Sequence, residues 1–319
     1  MKGDYNPCFL AMPRCSVIIV TYNSSAQIER CVKSLPLQDC EIIVVDNASQ
    51  DDTLARLQSL CEQIPVQVLS LTRNLGFAAG VNVGARAASA DVLLILNPDT
   101  IAEPGAIDAL LTCLTHTGAA AAGGALLHGD AQPAKGFAFR RLPNLGSLLC
   151  EVLLINQGWP ANPVNRRYRC LDADYTREQP VEQPAGACLA IPSKQWATLR
   201  GMDPQFFPVW FEDVDLCARI HNAGGKIVYC PGARFRHSGA HSVGQLDFRD
   251  RQAFWYANML RYARKHFSRA SVFTLRAGIV AGMLLRMITT FVAGAPGRVM
   301  RRGAISAYWL VIRESLGIA

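Results

Sequence analysis

The chain has 319 residues, half of them hydrophobic and 18% charged, with 25 glycines and 17 prolines. This composition excludes disordered, collagen-like and low-complexity chains, and the length can bury a sizeable core in one large α/β domain with an appendage or in two domains. The net charge of +7 is uneven: from Arg234 onward 14 Lys and Arg meet only Asp247, Asp250 and Glu314, whereas the first 233 residues hold 18 basic and 22 acidic side chains, so a mildly acidic body carries a basic tail expected to face anions.

The N-terminal segment, with an acid at Asp4 and only a brief apolar run, does not read as a secretory signal, and cytoplasmic synthesis without export is the expectation. The eleven cysteines are an odd number, and no two lie closer than Cys8 and Cys15. Neither a CxxC pair nor a zinc ribbon can be drawn, so reduced, mostly buried thiols are expected.

Residues 16–20, 41–45, 66–71 and 92–96 are short β-branched apolar runs, the pattern of strands buried on both faces. Helical periodicity separates them, at Ile28, Cys31, Val32 and Leu35, and at Leu54, Leu57, Leu60 and Cys61 behind an acidic first turn. A third helix follows Pro104 through Ile107, Leu110, Leu111 and Leu114. Alternation over about 115 residues predicts a parallel sheet of the nucleotide-binding kind, with ligands off the carboxyl ends of its strands. Those ends are polar in all four cases: Thr21-Tyr22-Asn23-Ser24, Asp46-Asn47-Ala48-Ser49, Thr72-Arg73-Asn74 and Asn97-Pro98-Asp99-Thr100. Polar turns are common after strands, so no single tip is decisive.

Residues 120–185 are irregular and rich in Gly, Pro and Arg, with a short apolar stretch from Leu145 to Ile155 interrupted by Glu151. They read equally as a substrate-covering insertion or as connecting structure. Then come the aromatic and acidic run Trp210-Phe211-Glu212-Asp213-Val214-Asp215, a strand from Lys226 to Cys230, and Arg234-Phe235-Arg236-His237. From Ser271 to Gly297 the chain is apolar, without acids, but broken by Arg276 and Arg286. An arginine near the centre of a spanning helix costs about 2.5–3.5 kcal/mol on insertion scales, so the expectation is helices in the headgroup plane with their arginines on anionic lipid; a helical cap packed on the main domain is the alternative.

Two motifs carry chemistry. Asn97-Pro98-Asp99 offers a carboxylate and an amide where a nucleoside diphosphate would lie, and a hard divalent ion needs few protein oxygens when phosphate and water complete its shell. Three acids within four residues at 212–215 repel one another unless the fold gains from them. Apolar surroundings would raise one and improve it as a base, while a helix N-terminus, with Leu216 and Ile220 following at helical spacing, would accommodate another. His237 on its own is more often structural.

In order, Thr21-Tyr22-Asn23, Val45 to Asp51, Arg73 to Asn82, Asn97-Pro98-Asp99, Gly186-Ala187 and Phe211 to Asp215 resemble the motifs of family 2 glycosyltransferases over residues 16–242. The NPD and WFEDVDLC forms look most like the family's bacterial rhamnosyltransferase branch. The resemblance implies an α/β GT-A nucleotide-diphospho-sugar transferase fold, Rossmann-like with a mostly parallel central sheet, and inverting chemistry. It implies a catalytic domain over 1–242, with a donor half at about 14–120 and an acceptor half at 121–242, followed by a basic helical, membrane-associating region at 243–319.

Carried over by position, Thr21, Tyr22, Asn23, Asp46, Asn47, Arg73, Asn74, Asn82 and Asn97 are expected around the nucleotide. Asp99 and His237 are expected on Mg²⁺ or Mn²⁺, Asp213 as general base, and Gly186, Ala187, Trp210 and Glu212 near the acceptor. Asn97 departs from the aspartate many members have there, so the ion is expected on one carboxylate, Asp99, rather than two. A glycoside hydrolase would not need nucleotide-shaped strand ends. A nucleotidyltransferase or dehydrogenase would be expected to show a Gly-rich phosphate loop, and no GxGxxG or GxxxxGK[ST] occurs.

The expected activity is transfer of L-rhamnose from dTDP-L-rhamnose to a polyprenyl-diphosphate-linked saccharide during cell-surface polysaccharide assembly. The alternatives are another family 2 activity with a UDP-sugar and a non-catalytic sugar-nucleotide or lipid binding protein. The expected partners are the sugar nucleotide, the saccharide acceptor and the inner-leaflet surface on its cytoplasmic side, with no nucleic acid and with homo-oligomers left open.

Overall fold

The computed structural model describes residues 13–129, 132–239, 244–292 and 298–318. The N-terminal run to residue 12 with Cys8, the 242/243 boundary and the end of the 271–297 stretch lie outside them. β1 (Cys15–Thr21), β2 (Cys40–Asp46), β3 (Val66–Ser70) and β4 (Val92–Leu96) are mutually parallel. They are linked by α1 (Ile28–Lys33), α2 (Thr53–Cys61) and α3 (Phe77–Ala87). β1, β2 and β4 are buried on both faces as their β-branched runs require, but β3 is an edge strand whose Gln67 and Ser70 reach solvent, a correction to the uniform burial expected of all four. α3 lies directly on β1, because a Cβ at Gly84 would stand 2.5 Å from Ile18 Cγ2 and one at Gly80 2.7 Å from Val20 Cγ1.

β5 (Thr100–Ala102) leaves the end of β4 at once, and α4 (Ala106–Thr117) leads to β6 (Ala121–His128). The segment read as irregular contains the two-residue strands β7 (Gln132–Pro133), β8 (Phe139–Arg140), β9 (Gln179–Pro180) and β10 (Gln183–Pro184). It also holds α5 (Leu145–Val152), α6 (Ile155–Gly158) and α7 (Pro163–Tyr168). β11 (Cys188–Pro192), α8 (Ser193–Leu199), α9 (Glu212–Asn222) and β12 (Ile227–His237) complete the sheet region.

The sheet order is β3-β2-β1-β4-β11-β6-β12-β5, with β7 on β6 and β9 on β12. β11 is antiparallel to both β4 and β6, and β12 is parallel to β6, so the sheet is mixed but keeps its parallel nucleotide-binding half. The order reverses at β1, flanked by β2 and β4, which makes the carboxyl ends of these strands the expected ligand crevice.

α10 (Phe248–His266), α11 (Arg269–Val292) and α12 (Arg298–Leu316) form the C-terminal helices. They share a second apolar core with α5 and α9 that includes Leu148, Val152, Phe211, Met259, Leu275, Ile279 and Met283. The cysteines among the described residues are free, and all but Cys61, Cys150 and Cys170 are buried.

Candidate active site

The carboxyl ends of β1 and β2 put Thr21 directly opposite Asp46 in the parallel register. Both side chains are buried, and Thr21 Oγ1 and Asp46 Oδ1 have no partner among the described residues. The second Asp46 oxygen accepts the Ser49 amide at 3.2 Å. Buried polar atoms without partners are uncommon in folded proteins, and two at adjoining strand ends mark a place where a polar ligand would complete the bonding. Tyr22 is half-buried, and Asn23, in the left-handed region at φ +49°, receives the Gln50 amide on Oδ1 at 2.7 Å. Asn47 and Asn74 brace the loop: Asn47 Nδ2 donates to Asn74 Oδ1 at 2.9 Å, and Asn47 Oδ1 accepts the Leu75 amide at 2.8 Å. Arg73 is exposed at the end of β3. Asn82 stands apart from these tips in its bonding, since both ends of its amide are engaged by the Met202 backbone at 2.8 and 3.0 Å.

The short strand β5 brings the second group together. Its antiparallel pairing sets Thr100 opposite His237, so Asp99 lies beside the end of β12. His237 Nε2 is 3.2 Å from Asp99 Oδ1 and 3.5 Å from Asn97 Nδ2; His237 and Asp99 are buried, and Phe137 stacks on the imidazole at 5.4 Å. His237 Nδ1 is buried without a partner among the described residues. One carboxylate and one imidazole this close could together hold a divalent ion that drew its remaining ligands from phosphate and water. Among the described residues no group of three acidic, His or Cys side chains forms a complete metal cage.

The acidic run opens α9. Trp210 and Phe211 both have positive φ, +83° and +71°, an uncommon backbone for bulky residues that turns the chain sharply into the helix. The structure separates the three acids. Asp213 Oδ2 accepts the Gly186 amide at 2.9 Å and Gln183 Nε2 at 3.1 Å, and Oδ1 accepts the Val214 amide at 2.8 Å. Its pKa is nevertheless raised, because burial outweighs those bonds. Glu212, buried, is raised well above the usual range by burial first and then by the neighbouring Asp213 charge, and its Oε2 has no partner among the described residues.

Asp215 faces away to the C-terminal helices. It is 0% exposed and accepts from Arg219 Nε at 2.8 Å, His266 Nε2 at 2.8 Å and Lys265 Nζ at 2.9 Å. Burial alone would raise its pKa, but the bonds from His266 and Lys265 and the Arg219 charge prevail and hold it at about 2. Sequence reasoning left Asp215 without a role, since two of its three partners, Lys265 and His266, lie some 50 positions away.

Gly186 and Ala187 join the two groups. While the Gly186 amide holds Asp213, the Ala187 carbonyl accepts the Asn97 amide at 3.1 Å. Two consecutive residues thus tie the acidic helix to the Asn97-Pro98-Asp99 turn.

Residues 16–151 match the family model described as Glycosyl transferase family 2. The chain is 32% identical over 251 residues to the N-acetylglucosaminyl-diphospho-decaprenol L-rhamnosyltransferase of Mycobacterium tuberculosis, covering 72% of this chain and 77% of that protein. It belongs to glycosyltransferase family 2. Within that family it is similar to bacterial rhamnosyltransferases, including the rhamnosyltransferase WbbL of Escherichia coli, at 26% identity over 70% of this chain and 83% of that one. The fold agrees: the mannosyltransferase PcManGT of Pyrobaculum calidifontis superposes over 96% of this chain and 87% of its own, with a TM-score of 0.55 at 15% identity. This glycosyltransferase therefore has the expected GT-A architecture with appended C-terminal helices.

One expectation for this family 2 enzyme is corrected. Arg286 does not reach outward to lipid; its guanidinium donates to the carbonyls of Val152, Glu151 and Gly282, the first two at the end of α5. A cation there satisfies free carbonyls and the negative end of the α5 dipole. α11 is long and apolar enough to cross a membrane between Arg269 and Thr290, with a mean hydropathy of 1.5. One face, with Leu275, Ile279 and Met283, is buried in the second core, while Phe273, Leu284, Leu285 and Ile288 are exposed.

Proposed function

We propose that this enzyme transfers L-rhamnose, with inversion, from dTDP-L-rhamnose to a GlcNAc unit carried on polyprenyl diphosphate. The observation that carries this reading is the likeness, over most of both chains, to the mycobacterial transferase whose name states that acceptor. In this reading residues 1–242 are the catalytic unit and 243–319 the membrane-associating unit. The unpartnered atoms of Thr21 and Asp46, with Tyr22, Asn23 and Arg73 beside them, take the base and ribose. Asn47, Asn74 and Asn82 keep the loops beneath in place.

Inversion needs the acceptor hydroxyl deprotonated on one side of the anomeric carbon and the departing diphosphate neutralised on the other. Asp213 is suited to the first task, since burial raises its proton affinity while Gly186 and Gln183 fix its orientation. Glu212, Gly186, Ala187 and Trp210 border the acceptor. Asp99 and His237, with Asn97 adjoining, would hold Mg²⁺ or Mn²⁺, which supplies charge neutralisation for the diphosphate. No covalent sugar intermediate is needed, so no second carboxylate acts as nucleophile.

The exposed apolar face of α11 and the basic tail support work at the cytoplasmic face of the inner membrane, where a lipid-linked acceptor resides. The test offers the purified protein a panel of dTDP- and UDP-sugars with a lipid-linked GlcNAc acceptor, with and without each metal. Rhamnosyl transfer only with dTDP-L-rhamnose and a divalent ion is expected. Transfer of GlcNAc or galactose from a UDP-sugar instead would overturn the donor assignment.

A further inference from the structure

Arg140 lies between the two halves of the site and has no carboxylate partner among the described residues. β8 and β10 pair antiparallel with Arg140 opposite Gln183, and residues directly opposite in such a pair project from the same face. Gln183 from that face reaches Asp213 at 3.1 Å. Arg140 is likewise near enough for its charge to favour the ionised Asp213, yet no ion pair joins them among the described residues. On its other side the guanidinium carbon is 5.7 Å from the centre of the Phe137 ring, the ring that stacks on His237.

The bonding of this guanidinium is incomplete. Nε donates to the Gly136 carbonyl at 2.7 Å, which fixes the plane of the fork, and neither Nη group has a protein partner among the described residues. Its neighbour Arg141, by contrast, pairs with Glu182. A half-buried arginine anchored through Nε, with both Nη groups unpaired among the described residues, can make bidentate contact with an oxyanion, and both substrates of the proposed reaction carry diphosphate.

We propose that Arg140 binds a substrate diphosphate in the gap between Asp213 and His237. The claim rests on the transfer reading above for the identity of the diphosphate, but not for the binding chemistry. Two sources share that chemistry: the donor nucleotide, approaching from the His237 side, and the lipid-linked acceptor, approaching from the Asp213 side.

Calorimetric titration of the full-length protein and of Arg140→Gln and Arg140→Lys distinguishes them. The ligands are dTDP and UDP with Mg²⁺, a short-chain prenyl-diphospho-GlcNAc, and an alkyl GlcNAc glycoside without phosphate. Because charge-assisted bonds are lost, Arg140→Gln should weaken one diphosphate ligand at least about tenfold, and Arg140→Lys by less. The phosphate-free glycoside and the melting temperature should not change. Weakened nucleotide binding assigns Arg140 to the donor, and weakened prenyl-diphosphate binding assigns it to the acceptor. Affinities for all diphosphates within about twofold of wild type would overturn the proposal, as would equal weakening of the phosphate-free glycoside, which would mark a purely structural residue. Should Arg140→Gln fail to fold, the Lys variant, which keeps the charge and loses the fork, applies the same criteria. Failure of the wild-type protein to transfer any sugar would refute the functional reading while leaving these titrations decisive for Arg140.

Discussion

Gly186 donates its amide hydrogen to Oδ2 of Asp213 at 2.9 Å, and a Cβ built on Gly186 would stand 2.9 Å from the Cβ of that aspartate. The contact makes residue 186 a position for glycine alone. Gly186→Ala should displace the carboxylate while leaving the sheet intact, lowering transfer on the order of 10²-fold, as expected when a reacting group is misplaced by about 1 Å. A steady-state assay beside a melting curve checks this, and normal kcat in the variant would remove Gly186 from the site.

Asp213→Asn keeps the shape and one hydrogen-bond acceptor but cannot take a proton. Transfer should fall by about 10²–10⁴, the usual worth of a general base, while nucleotide affinity is retained. Equal loss of nucleotide binding would refute the base assignment. Because burial raises the Asp213 pKa, activity should increase with pH through an acid limb above the ordinary carboxylate range, and that limb should be absent from the residual rate of the variant.

Glu212 has the opposite bearing on stability from a paired carboxylate. Its folded-state pKa lies well above the ordinary 4.5, so the neutral form contributes stability at acid pH that is lost as pH rises from about 4.5 through the folded value. Glu212→Gln should therefore raise the melting temperature at neutral and alkaline pH and flatten its decline, by an amount corresponding to about 1–3 kcal/mol. Melting curves across pH measure it; an unchanged slope would mean that the carboxyl does not titrate there.

Asp215 responds in the reverse sense. Its pKa, held at about 2, gives stability present above the unfolded value and lost only as pH falls toward 2. Asp215→Asn leaves Arg219, Lys265 and His266 without their shared anion and should cost about 3–5 kcal/mol in denaturant unfolding.

The outward face of α11 predicts membrane binding. Phe273 is 74% and Ile288 58% exposed, and burying an apolar side chain of this size is worth about 1.5–3 kcal/mol. Phe273→Ser with Ile288→Ser should reduce sedimentation with anionic vesicles at least about tenfold without affecting transfer to a soluble acceptor. Unchanged sedimentation would place the contact elsewhere.

The donor half was legible because its strands are short, mostly apolar runs, interrupted only in the edge strand β3, and its expected site residues sit at their ends, where a parallel sheet must place them. The order of the remaining strands was not. β11 inserts antiparallel between β4 and β6, and β5 returns to β12, through pairings between segments far apart in sequence that leave no periodic mark. Arg140 lay in a two-residue strand with no helical or strand pattern around it, and only its register with Gln183 places it beside the acidic helix. The acidic run was visible as a cluster, but its division depended on what each carboxylate faces: Gly186 for Asp213, and Lys265 with His266 for Asp215.

The clasp of Lys265 and His266 on Asp215 also bears on how the polypeptide can be shortened. Trimming it to the first 242 positions would strip two of the three groups that hold the fully buried Asp215 carboxylate, two residues beyond the proposed proton acceptor. A catalytic fragment that keeps this clasp must extend to His266, since the pairing ties the first C-terminal helix to the turn that carries Asp213.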